Sequence, residues 1–164
     1  MAHVWLRFVH EKGITSRAIE WFTRSEFCHV DFVLSNGKFL GARLEGGVEI
    51  RDHDYLTPDS FCYAKVEVMG SNRRVLGWAT SQVGKPYDWV AILAFLPRTN
   101  WHDPGKWFCS ELVAEAFKLK DSAIVDNRAY RITPQMVYES VRVEKLGMNV
   151  IPQWIGDLDP HFDN

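Results

Sequence analysis

The chain of 164 residues has no run of lysine or arginine and no basic stripe, and its formal net charge is -2. Nucleic acid is therefore not an expected partner. No stretch reaches the roughly 18 apolar residues of a membrane span. The longest candidate, WVAILAFL at 89–96, suits a buried helix. The first residues, MAHVWLRFVHEKG, lack a basic region leading into a long apolar run, so no signal peptide is expected. Cysteine is scarce: Cys28, Cys62 and Cys109 are all there is. An odd number without paired spacing argues against a disulfide framework and fits a reducing compartment. Neither Cys28-His29 nor His102-Asp103 has the spacing of a zinc motif, and there is no Gly-rich phosphate loop. The expectation is no metal and no cofactor. Without repeats, low-complexity tracts or a flexible linker, the chain reads as a single domain over 1–164.

Aromatic residues, by contrast, are plentiful, with 7 Trp and 10 Phe. At 46% hydrophobic and 24% charged, the composition is that of a soluble globular protein able to bury a core. The aromatics fill that core or line a groove.

Strand patterns fill the first half. HVWLRFVH (3–10), CHVDFVL (28–34), KFLGARL (38–44), VEIRD (48–52) and FCYAKVEVM (61–69) read as strands, with one helix expected over 14–25. Asn36-Gly37 reads as a two-residue hairpin turn, which sets His29 opposite Leu44. The second half changes period, with helices expected over 72–83, 88–96 and 108–120. Thr133-Pro134 supplies an N-cap and a first-turn proline for another helix. A β-rich half followed by a helical half implies an α+β fold, helices packed on an antiparallel sheet.

Cys109 sits where a Pro/Gly loop gives way to a helix, in WHDPGKWFCSELVAEAF. With Leu112, Val113 and Ala116 it shares one helical face, which alone makes it a small core residue. Its position also makes it a candidate nucleophile. The helix dipole favours thiolate there, and the unpaired backbone N–H groups can hold an oxyanion. A base must then come from elsewhere in the chain. His29 is available, on a strand face shared with Asp31; taken alone, that polar pair reads as a solvated face.

The segments GKPYDWVAILAF and WFCSELV together resemble the Gly-x-Pro-Tyr … Cys-Ser-x-Leu-Val pattern of NlpC/P60 papain-like cysteine peptidases. Here FCHVDFVL precedes WFCSELV. That order is similar to the circularly permuted branch, the YiiX/YebB-like and lecithin retinol acyltransferase-like proteins. The likeness runs from about residue 26 to 140 and includes Ile132-Thr133-Pro134. It implies a permuted papain-like fold, Cys109 as nucleophile, His29 as general base and Tyr87 as an oxyanion-site tyrosine. The acidic residue common on the next strand of that branch is replaced by Gly41. Glu45 and Asp31 are the candidate substitutes for orienting the base. The implied activity is a thiol hydrolase cleaving an amide bond in peptidoglycan stem peptides. It would be made in the cytoplasm and delivered to a cell wall or carried in a phage particle. A lipid amidase, thioesterase or acyltransferase of the same fold is the second expectation, and a non-catalytic binding or assembly module the third.

Overall fold

The computed structural model describes residues 2–89, 105–118, 132–141 and 147–149. Beyond Trp89, the helix expected over 88–96 lies outside them, as do His102-Asp103 and the tail from 150. Element order is β1 (Ala2–His10), α1 (Ile14–Thr23), β2 (His29–Val33), β3 (Phe39–Arg43), β4 (Gly47–Arg51), β5 (Ser60–Val68) and α2 (Asn72–Thr80). They are followed by α3 (Cys109–Lys118) and α4 (Pro134–Ser140). The five strands form one antiparallel sheet in the order β4-β3-β2-β1-β5. The fold class is α+β, as the two-halved pattern implies.

Alternation along the strands decides which side is covered. Leu6, Phe8, Val30, Phe32 and Leu40 point into one large core shared with the helices. Phe32 of β2 stacks on Phe117 of α3 at 6.1 Å, both fully buried. Each such ring contributes about 1.5–3 kcal/mol by burial. The opposite face carries a smaller cluster of Val33, Phe39 and Tyr63, flanked by Trp5, Tyr55 and Phe61. Among the described residues no helix is long and apolar enough to cross a membrane.

One expectation is corrected by the β2–β3 hairpin. Leu34 N–H donates to Lys38 O at 2.9 Å and Gly37 N–H to Leu34 O at 3.0 Å. The loop is therefore Ser35-Asn36-Gly37, with Gly37 at φ 75, the geometry of a turn closed by a left-handed glycine. The pairs are Phe32↔Leu40 and Val33↔Phe39. Extending that register sets Gly41 across from Asp31 and Arg43 across from His29, in place of Leu44. A one-residue slip exchanges the two faces of a strand, so this correction decides what the imidazole can meet. The ladder stops at those two pairs. Over His29–Asp31, β2 is laddered to β1 alone.

Candidate active site

Helix α3 positions Cys109. Phe108 N–H donates to Glu111 Oε2 at 3.3 Å, and Leu112 N–H to Phe108 O at 3.0 Å. This is the return half of a capping box, with Phe108 as cap and Cys109 as the first helical residue. Ser110 Oγ donates to the Ile132 carbonyl and ties α3 to the segment entering α4. There Thr133 Oγ1 accepts from Met136 N–H at 3.1 Å.

Cys109 is 1% exposed. Burial pushes its thiol up to about 12, while the backbone amides of Val30 and Ser110 pull the other way. Val30 belongs to the stretch of β2 that is not laddered to β3. At rest the group is a thiol, and its ionisation needs an acceptor for the proton.

His29, 4% exposed, lies within 2.7 Å of Asp31 Oδ1 through Nε2. Asp31 is 1% exposed. Its Oδ2 accepts from Arg7 Nη2 at 2.9 Å and from the Tyr55 hydroxyl at 2.6 Å. Burial alone would raise the Asp31 carboxyl. His29, Arg7 and Tyr55 outweigh burial and hold it well below the usual carboxylate range. An ionised carboxylate only accepts hydrogen bonds. A ring carrying a single proton therefore holds it on Nε2 and presents Nδ1 as the basic nitrogen.

Space for Asp31 comes from Gly41, where a Cβ would lie 2.2 Å from Asp31 Oδ1 and 3.4 Å from His29 Nε2. Glu45 is exposed in the turn between β3 and β4, and its carbonyl accepts from Arg51 Nη2 at 3.0 Å. Among the residues weighed for orienting the base, Asp31 is the one on the imidazole. Tyr87 is buried, its ring 5.8 Å from that of Phe108. The loop around Tyr87 is held to the segment before α3 by Trp107 N–H to Pro86 O and Asp88 N–H to Trp107 O, both 3.1 Å. Burial, then the nearby Cys109 sulfur, pushes the Tyr87 phenol well up.

Sequence reasoning did not single out Arg7 or Tyr55. Arg7 had a signal: it is the one charged residue in the otherwise apolar run VWLRFV, directly across from Asp31 once the β1–β2 register is known. Tyr55 had none, lying in the irregular loop DHDYLTPDS.

No protein-family model and no curated protein matches the chain. Among solved structures, the metalloprotein YiiX from Escherichia coli O157:H7 is similar, with a TM-score of 0.65 at 15% identity. The match covers 89% of this chain and 96% of YiiX. The fold is YiiX-like.

Proposed function

We infer that the chain is a thiol hydrolase acting through an acyl-enzyme, with Cys109 as nucleophile, His29 as base and Asp31 as the group that orients it. The buried His29–Asp31 bond of 2.7 Å carries this reading. It fixes the tautomer a general base requires and leaves Nδ1 for the thiol proton. Proton transfer from Cys109 to Nδ1 accompanies attack of sulfur on a carbonyl carbon. The tetrahedral oxyanion is stabilised by N–H groups opening α3 and by the Tyr87 hydroxyl. The imidazolium then protonates the leaving amine or alcohol as its bond to carbon breaks. Water, deprotonated by His29, attacks the thioester, releasing the acid and restoring the thiol.

Peptidoglycan stem peptides as substrate, with a place at a cell wall or in a phage particle, rest on the NlpC/P60 resemblance. Acyl amides and thioesters rest on the permuted branch. YiiX is described as a metalloprotein, but the donors here do not fit a cation. Asp31 Oδ2 is committed to the Arg7 guanidinium and Tyr55. Among the described residues no cluster of three or more His, Cys, Asp or Glu is arranged to hold a metal ion.

The buried, protonated sulfur also favours a second reading, a binding module in which Cys109 is core. Wild type and Cys109→Ala, incubated with purified peptidoglycan, an acylated amine and a thioester, separate the two. Product from wild type alone supports the hydrolase and names the bond. Product from neither protein, or equally from both, overturns it.

A further inference from the structure

Asp31 has a competitor for its orientation. Arg7 donates only Nη2 to it, at 2.9 Å to Oδ2. The Arg7 Nε–H lies parallel to that donor, is buried, and has no hydrogen-bond partner among the described residues. A guanidinium with Nε and Nη2 free on one edge ordinarily grips both oxygens of a carboxylate in a two-bond fork. Closing that fork would turn Oδ1 toward Nε and away from His29. Two contacts oppose it. The guanidinium carbon lies 3.5 Å over the Phe39 ring, which fixes its plane. The Tyr55 hydroxyl, at 2.6 Å, shares Oδ2 with Nη2.

We propose that Tyr55 is a positioning residue that keeps the Arg7–Asp31 fork open, so that Asp31 Oδ1 serves His29. The proposal rests on the thiol-hydrolase reading for its consequence in activity, but its structural content is the state of the imidazole. Without the hydroxyl, Oδ2 has one donor fewer and the carboxylate rotates into the fork. His29 then loses the acceptor that selects its Nε2–H tautomer. The loop between β4 and β5, which carries Tyr55, thereby acts on the base without touching it.

Two measurements on the full chain test this, with folding checked by circular dichroism. The first is long-range 15N NMR of the His29 ring at neutral pH in wild type, Tyr55→Phe, Arg7→Lys and the double variant. Wild type shows the Nε2–H tautomer, and Tyr55→Phe shows a mixture with Nδ1–H. The double variant returns to the wild-type pattern, because lysine cannot form a fork. Arg7→Lys alone keeps the wild-type pattern. The second is iodoacetamide alkylation of Cys109, read by peptide mass spectrometry. The rate falls about tenfold in Tyr55→Phe, the scale of one lost hydrogen bond to a charged group, and recovers in the double variant. A wild-type tautomer in folded Tyr55→Phe overturns the proposal. So does a folded double variant that stays mixed. A tautomer shift without any Cys109-dependent turnover would sink the hydrolase reading and leave the brace standing.

Discussion

His29, Asp31 and Gly41 form a coupled set in which one missing methyl group makes room for a carboxylate. Gly41→Ala places a Cβ 2.2 Å from Asp31 Oδ1. The carboxylate must move, at a cost of about 1–3 kcal/mol in stability and most of the turnover. Chemical denaturation and product release measure the two effects. The acid can also be moved: Asp31→Gly with Gly41→Glu restores a carboxylate beside the ring from the facing strand. We expect both single variants to be nearly inactive and the double variant to regain measurable activity. Asp31→Asn keeps the shape and removes the charge. Its turnover should fall by roughly three to four orders of magnitude, as when the orienting acid of a catalytic triad is amidated. At this scale the sequence was informative about residue types and silent about contacts. His29 and Cys109 were singled out by resemblance alone. The choice between Asp31 and Glu45 needed the pairing of β2 with β3.

At the scale of elements, helix starts were the most legible feature. The Thr133-Pro134 signal gives α4 at Pro134, with the Thr133 cap made as expected. Thr133→Ala should cost about 1 kcal/mol in a denaturant melt, with turnover nearly unchanged. Strand positions were also readable, because aromatic and branched residues alternate. The hairpin loop length was not. Asn-Gly serves two-residue and three-residue loops alike; which one forms depends on the side chains that pack on either face. Here the longer loop puts Leu40 and Ala42 into the core and Gly41 beside Asp31. The shorter one would have sent Gly41 coreward and left Leu40 facing the polar network.

For the whole molecule, two buried acids pull stability in opposite directions with pH. Asp31 is held well below its ordinary 3.8. Its contribution is complete above that value and is lost as pH falls further, through the folded pKa. Glu111, 2% exposed, is raised by burial, and secondarily by Asp88, from 4.5 to about 7. Its penalty is absent below 4.5, grows as pH rises, and is complete above about 7, where it amounts to about 3 kcal/mol. From these two groups, stability should peak near about pH 4 and decline toward neutrality. Urea midpoints measured across pH test this. Glu111→Gln keeps an acceptor for Phe108 N–H and should flatten the upper limb. A fall toward neutrality that is unchanged in Glu111→Gln would rule out this carboxyl as its source.

The Val30 amide acts on the Cys109 sulfur from a stretch of the middle strand where β3 offers no ladder partner. Capping Cys109 with an acyl group would change the size and electron density of the sulfur that this amide meets, between His29 and Asp31. The amide resonance and hydrogen-exchange rate of Val30 become an internal gauge of whether the cysteine is free or loaded, readable before any substrate has been named.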